Sequence, residues 1–409
     1  METSGPSFFF PKIDPEARTN YRTFAPKFPG LHLRSIQLTN FKNYETATVE
    51  FSGGLNALVG LNGMGKTNLL DAVYYLCMCK SHFGLNDRAV LRREGEFIRL
   101  VGRFERTEEA ETIVAKVVPG KRKEFERNGN PYERLADHIG FLPIVFITPD
   151  DTQLAREGSE ERRRFLDTTL SQTDPEYLRR LMAYNRVLKQ RNATLRAFAE
   201  RGGYNASLLG VYDEQLLEPA AYINARRAEF THRFVPVFAE YYARISGGQE
   251  PVGLTYVSKL NDRPLAELLT AAQESDRRLA RTTAGIHRDD LTFRLNNFPV
   301  KRFASQGQLK SFVLAFKLAQ YAYLREYHRI SPILLLDDIF DKLDTHRVRQ
   351  LLQLLTEQNF GQVFLTDTDP ERVGRIAAGL NVPTKILTVE SGAVAPTSDD
   401  RSRPTAEEE

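Results

Sequence analysis

LNALVGLNGMGKTN, residues 55–68, is the stretch on which the fold turns. An apolar run from Leu55 to Val59 stops at Gly60, and Gly65, Lys66 and Thr67 follow at the G-x-x-x-x-G-K-[ST] spacing of a phosphate-binding loop. Gly60, Gly63 and Gly65 permit positive φ, so backbone N–H groups can turn inward and, with the positive end of the next helix, form a nest for a polyphosphate. Leu61, Asn62 and Met64 complete the loop and Asn68 trails it. Lys66 is expected to reach the β and γ oxygens, and the Thr67 hydroxyl to ligate Mg²⁺. A helical pattern follows through Leu69, Leu70, Val73, Leu76 and Cys77, which completes the strand-loop-helix context. The expected ligand is ATP or GTP.

The second half of such a site is ILLLDD, residues 333–338, an apolar strand ending in two carboxylates. Asp337 is assigned to the metal and Asp338 to orienting an attacking water. The segment ASQGQLK, residues 304–310, precedes a long helix, and its Ser305, Gly307 and Gln308 resemble the signature of ABC-type ATPases. There a hydroxyl and the N–H groups of a helix start grip a γ-phosphate. ISGGQ at 245–249 matches those letters better, but Pro251 and a strand follow, so it reads as a helix C-cap. A signature lying far from its own phosphate loop completes a site only when two heads meet face to face, which predicts an ATP-dependent homodimer. DKLD, residues 341–344, is the expected D-loop at that interface, and Gln153 is a candidate for the loop that senses metal and γ-phosphate.

Outward from these motifs, LHLRSIQL and TATVEF read as paired strands before the loop, and FIRLVGRF, TIVAKVV and KEFER as strands after it, with a hairpin at Asn128-Gly129. FLPIVFI, residues 141–147, reads as a strand buried on both faces. Residues 159–246 carry almost no strand signal: Asp174-Pro175 starts a long helix with a Leu178, Leu181, Leu188, Leu195 stripe, and a second helical stretch is expected to break at Pro219 and Pro236. Strands LTYVS, DLTFRL, VFLTD and KILTV follow. The predicted architecture is α/β: an ABC-type P-loop ATPase head with a mixed sheet, formed by 31–158 and 286–390, and an inserted mainly helical lobe at 159–285. Disordered segments are expected at 1–30, where Phe8 to Phe10 form an apolar knot, and in an acidic tail at 391–409.

The net charge of +3 over 409 residues excludes nothing by itself, so nucleic-acid affinity has to be sought in local clusters. One exists in the inserted segment: Arg162, Arg163, Arg164, Arg179, Arg180, Arg186, Lys189 and Arg191, candidates for sequence-independent contacts to DNA phosphates. Cys77 and Cys79 lack metal or disulfide spacing and read as reduced packing residues of a cytoplasmic protein. No apolar run is long enough to cross a bilayer.

Residues 31–389 resemble the RecF family, ABC-type ATPases related to the heads of SMC proteins. The resemblance rests on LTNFKNYE (38–45), the nucleotide loop, TPDD followed by EERRRFLD (160–167), YNRVLKQRN (184–192), GIHRDDL (285–291), SQGQ and LLDDIFDKLD. The family commonly has Gly and Pro where this chain has Gly158 and Ser159, and Ser or Ala then Glu where it has Asp341-Lys342. Transporter-type relatives carry a histidine near Thr366 and Asp367. The resemblance implies an ATP- and Mg²⁺-dependent DNA binder of recombinational repair, replication restart and the SOS response. It would dimerise on ATP, bind duplex with single-strand gaps, act with RecR and RecO to promote RecA loading, and hydrolyse ATP weakly. The alternatives are an SMC-like chromosome-maintenance head, for which the insert is too short and too proline-rich, and an ABC transporter motor, which would need a membrane partner.

Overall fold

The structure, a computed structural model, describes residues 30–248, 250–340, 345–357, 360–380 and 382–397. In chain order the elements are β1 (Leu31–Phe41), β2 (Tyr44–Glu50), β3 (Leu55–Val59), α1 (Lys66–Met78), α2 (Asp87–Val90), β4 (Ile98–Arg106), β5 (Glu109–Val117), β6 (Glu124–Arg127), β7 (Asn130–Pro131) and β8 (Ile144–Ile147). Helices α3 (Gln153–Arg156), α4 (Ser159–Thr173), α5 (Pro175–Arg201) and α6 (Ala206–Ser246) follow, then β9 (Val252–Val257), α7 (Leu265–Leu279), β10 (Asp290–Leu295), β11 (Phe298–Pro299), α8 (Val300–Phe303) and α9 (Gln306–His328). The remaining elements are β12 (Ile333–Leu336), α10 (Thr345–Glu357), β13 (Val363–Asp367), α11 (Pro370–Gly379), β14 (Thr384–Glu390) and β15 (Ala393–Pro396).

The sheet that positions the site runs β15-β14-β3-β13-β12-β8. Its strands are parallel from β14 to β8, and β15 pairs antiparallel at the edge. Every residue of β3, β8, β12 and β13 is buried, as expected of strands covered on both faces. Because β3 and β12 flank β13 in parallel, the loop after Val59 and the carboxylates after Leu336 leave the sheet on the same side. A second, antiparallel sheet runs β2-β1-β4-β5-β6-β7, and a three-stranded sheet runs β11-β10-β9.

The inserted segment keeps no core of its own. Phe230, Phe234 and Phe238 of α6 pack with Phe165 of α4 and with Phe312 and Phe316 of α9, in one buried cluster that also holds Val59, Leu334 and Leu365 of the main sheet. Strand β9, on the lobe side of the expected boundary at 285, pairs along its length with β10 on the head side. The lobe and the head are therefore joined by packing as well as by chain.

Three expectations are corrected. Helix α6 runs unbroken for 41 residues through Pro219 and Pro236. An interior proline costs about 3 kcal/mol, and the buried stripe Phe230, Phe234, Phe238, Tyr242 and Ile245 offsets that cost by holding the helix against α9. The buried seam of α5 runs through Tyr177, Tyr184, Val187, Arg191 and Leu195, with Leu181 and Leu188 only partly buried beside it. The tail begins too early at 391: Ser391 and Gly392 take positive φ as a two-residue hairpin turn, and β15 pairs with β14. Phe8 to Phe10 and the DKLD segment at 341–344 lie outside the described residues.

Candidate nucleotide site and the arginine clusters

The loop after β3 has the backbone that its glycines foretell. Gly60, Gly63 and Gly65 have φ of 154°, 82° and 113°. The close approaches are equally demanding: a Cβ at Gly60 would lie 2.3 Å from the Val389 carbonyl oxygen, and one at Gly65 would lie 2.4 Å from Asn43 Nδ2. Lys66 Nζ donates to the carbonyls of Gly60 at 2.6 Å and Leu61 at 2.9 Å, so its ammonium lies across the mouth of the loop. Burial lowers the Lys66 pKa, against the opposing pull of Asp338, Asp337 and Asp367. Leu61, Asn62 and Gly63 face solvent, while Met64 is partly buried.

Thr67 and Asp337 come together as the strand order requires. Thr67 Oγ1 donates to the Asp337 carboxylate, 2.9 Å from both oxygens, and Thr366 Oγ1 donates to Asp337 Oδ1 at 2.7 Å. Burial pushes the Asp337 carboxyl above the ordinary aspartate range, with the Thr366 and Thr67 hydrogen bonds pulling it back. A hydroxyl beside a buried carboxylate is an oxygen-only donor set of the kind a hard divalent cation takes, so these residues fit Mg²⁺. Asp338 sits in the left-handed region at φ 48°, with its N–H donated to Thr366 Oγ1 at 2.9 Å. Asp367 is turned inward, its carboxylate held by Arg372 at 2.8 and 2.6 Å.

Sequence reasoning overlooked what steadies the loop, although the residues lie in LTNFKNYE. Lys42, Asn43 and Tyr44 act in succession. Lys42 Nζ lies 2.7 Å from the fully buried Asp71 of α1, Asn43 Nδ2 donates to the Met64 carbonyl at 3.1 Å, and Tyr44 Oη donates to the Gly65 carbonyl at 3.0 Å. Asn68 Nδ2 donates to Asn43 Oδ1 at 2.7 Å. On the other side the Gly392 N–H reaches the Met64 carbonyl, so the hairpin mistaken for tail also braces the loop.

The signature turn starts a helix. Ser305 is the N-cap of α9: its Oγ accepts from the Gln308 N–H at 3.2 Å, and Gln308 Oε1 accepts from the Ser305 N–H at 2.8 Å, a complete capping box. Ser305 and Gln306 are exposed, so the turn faces outward. ISGGQ instead ends α6, with Gly247 in the left-handed C-cap position. Gln153 is exposed at the start of α3.

The arginine cluster divides. Arg191 is fully buried, paired with Asp213 and Asp276 at 2.6 Å each, and is removed from the set of surface contacts. Arg162 is removed as well: it makes a two-pronged pair with Asp290 and donates to the carbonyls of Leu154 and Glu157. Arg163 donates to the Asp289 carbonyl at 2.7 Å. The physical reason is shared: these side chains meet carboxylates or carbonyls brought from distant sequence, which a helical wheel of the local segment does not show. Arg164 and Arg179 are exposed but lean on Glu161 and Glu176. Arg186 and Lys189 are exposed, and so is Arg196, which sequence reasoning passed over although it lies seven residues beyond Lys189 on the same face. Among the described residues these three have no ion-pair partner.

Strand order, phosphate loop and facing carboxylate make this the head of an ABC-type P-loop ATPase with an inserted helical segment. The family described as RecF/RecN/SMC N terminal domain matches residues 32–385. A DNA replication and repair protein RecF of Flavobacterium johnsoniae is 42% identical over 359 residues, covering 87% of this chain and 99% of that protein. A second, from Phocaeicola vulgatus, is 41% identical over 364 residues, covering 88% of this chain and 97% of its own. The chain belongs to the RecF family. A solved structure of the recombination mediator protein RecF with ATPrS superposes with a TM-score of 0.82 at 26% identity, over 91% of this chain and 99% of that one. An Smc head bound to the C-winged helix domain of ScpA, at TM-score 0.51 and 15% identity over 90% of this chain and 97% of its own, shares the fold. Among the described residues no helix is long and apolar enough to cross a membrane.

Proposed function

We propose that this chain is an ATP-dependent DNA-binding protein of recombinational repair that dimerises on ATP, engages duplex with single-strand gaps, and works with RecR and RecO to promote RecA loading in the cytoplasm. The observation that carries the reading is the outward-facing N-cap of α9. Ser305 Oγ uses its acceptor on the Gln308 N–H, which leaves its O–H proton to donate, and the Gln306 and Gly307 N–H groups belong to the first turn, where no intrahelical partner exists. Such a turn is an anion site built for something outside its own subunit. Exposed apolar side chains flank both halves of the expected contact: Leu61, 72% exposed, at the phosphate loop, and the paired Phe298 and Phe303 beside the signature.

In this reading the loop amides of residues 60–67 and Lys66 hold the phosphates, and the twin's Ser305 turn closes on the γ-phosphate. Thr67 and Asp337 would hold Mg²⁺, which neutralises phosphate charge when bound. Asp338 orients the attacking water, and a side chain one methylene shorter than glutamate holds that water less closely. Hydrolysis is therefore slow and times release. ATPase rate measured against protein concentration should rise more steeply than linearly. Asp338→Asn should accumulate an ATP-bound dimer in sedimentation, and Lys66→Met should stay monomeric; a parent chain that stays monomeric with ATP at every concentration would end this reading.

A further inference from the structure

Around the signature turn is a cavity of about 280 Å³ lined by Tyr242, Glu250, Gln308, Ser311 and Arg347. We propose that Glu250 is a positioning residue for that turn, tying the last turn of the lobe's long helix to the groups that grip nucleotide across the dimer. The inference deepens the clamp reading above and rests on it.

The planar amide of Gln308 is engaged at both ends. Its Oε1 accepts from the Ser305 N–H at 2.8 Å, and its Nε2 donates to Glu250 Oε1 at 2.5 Å. A flipped amide would set its carbonyl against the Glu250 carboxylate and its NH₂ against the Ser305 N–H. Both contacts would become repulsive. Glu250 thus selects the one amide orientation that completes the capping box, and with it the arrangement in which Ser305 Oγ accepts from Gln308 N–H and keeps its proton for an outside acceptor.

Glu250 is itself anchored from the lobe. Its Oε2 accepts from Tyr242 Oη at 2.9 Å, four residues before the end of α6, and Arg244 of the same turn pairs with Glu357 of α10. The turn at 245–249 that resembles a signature in letters therefore has a different task, which is to deliver Glu250 to the real one. A carboxylate so near an anion site would repel a phosphate unless balanced. Arg347 of α10 supplies the balance: its Nε donates to Ser311 Oγ at 2.6 Å, and a Cβ at Gly307 would lie only 3.0 Å from its Nη2, so the guanidinium lies against the signature glycine.

The test separates nucleotide binding within one subunit from closure between two. Glu250→Ala should bind a fluorescent ATP analogue, at protein concentrations where only monomer is present, within about twofold of the parent. The protein concentration needed for half-maximal ATP-driven dimerisation should rise about tenfold, the loss of one charge-assisted hydrogen bond. Glu250→Gln should recover most of that loss, because its Oε1 still accepts from Gln308 Nε2. Tyr242→Phe, which removes one donor to Glu250 and leaves Gln308 untouched, should shift the same concentration about threefold, and it serves as the test should Glu250→Ala fail to fold. Dimerisation unchanged in Glu250→Ala and Tyr242→Phe, equal loss of monomer nucleotide binding, or Glu250→Gln no better than Glu250→Ala would each overturn the proposal. A parent chain that does not dimerise with ATP would instead sink the clamp itself, whatever the Glu250 variants do.

Discussion

Two groups of arginines in the inserted segment began as one cluster and ended in opposite places. Arg162, Arg163 and Arg191 turn inward and are joined there by Arg227, whose guanidinium is buried among Asp167, Asp289, the Tyr177 hydroxyl and the Ile286 carbonyl. Arg186, Lys189 and Arg196 stand on the outer face of α5. Residue type and helix are the same; what differs is whether a carboxylate from remote sequence lies opposite. EERRRFLD and GIHRDDL, separate as motifs, are two sides of one joint: α4 and α6 supply guanidinium groups and Asp289 and Asp290 the anions. A cluster of like charges in a sequence is thus evidence of a binding face only after its distant counter-charges have been found.

The strongest way to break the comparison is to remove one partner from the joint. Arg227→Met leaves the Asp289 carboxylate buried with one fewer donor, and truncating a buried pair on one side costs about 3–5 kcal/mol. Chemical denaturation should show a loss of that size. The dependence of DNA affinity on salt should keep its slope, because Arg227 is fully occupied inside. A variant with normal stability and a shallower salt slope would mean that the joint opens to meet DNA.

The phosphate loop, the two carboxylates, the capping box of α9 and most strands were legible because each is a local pattern whose residues act within a few positions of one another. What escaped was decided at a distance. Asn43 and Tyr44 brace the loop across the β1-β2 turn, Thr366 reaches Asp337 from a neighbouring strand, and α6 ignores its prolines because α9 is waiting for its aromatic stripe. The Ser391-Gly392 hairpin was the exception. Its turn chemistry was local and readable, but the Pro/Ser-rich composition around it argued louder.

Acid offers a gentler way to separate the two groups. His287, beside the joint, shares a proton with Tyr184 Oη at 2.8 Å and faces the Thr282 carbonyl, and burial lowers its pKa from 6.5 to about 4. A histidine depressed in the fold contributes stability that is complete above pH 6.5 and drains away as pH falls toward 4, because the unfolded chain takes the proton first. The loss reaches roughly 3 kcal/mol at pH 4 for a shift of this size. His287→Gln should flatten that part of the stability-pH curve, measured against the parent. The outer cations stay charged throughout, so their contribution to DNA affinity should not follow the same curve.

The smallest effect should come from the outer face, and it is the one that sharpens the comparison most. Arg186, Lys189 and Arg196 are solvated and lack ion-pair partners among the described residues, so replacing Arg186 and Lys189 with alanine should move stability by no more than about 0.5 kcal/mol. If they meet duplex phosphates, each releases about 0.9 counterion on binding. The double variant should therefore lower the slope of log affinity against log salt by roughly 1.8 and weaken binding to every duplex sequence alike. Adding Arg196→Ala should take off about 0.9 more, whereas Arg179→Ala, with Glu176 already drawing on its charge, should take off less. A double variant whose salt slope equals the parent's would leave α5 as a solvated face and move the search for DNA contacts elsewhere on the head.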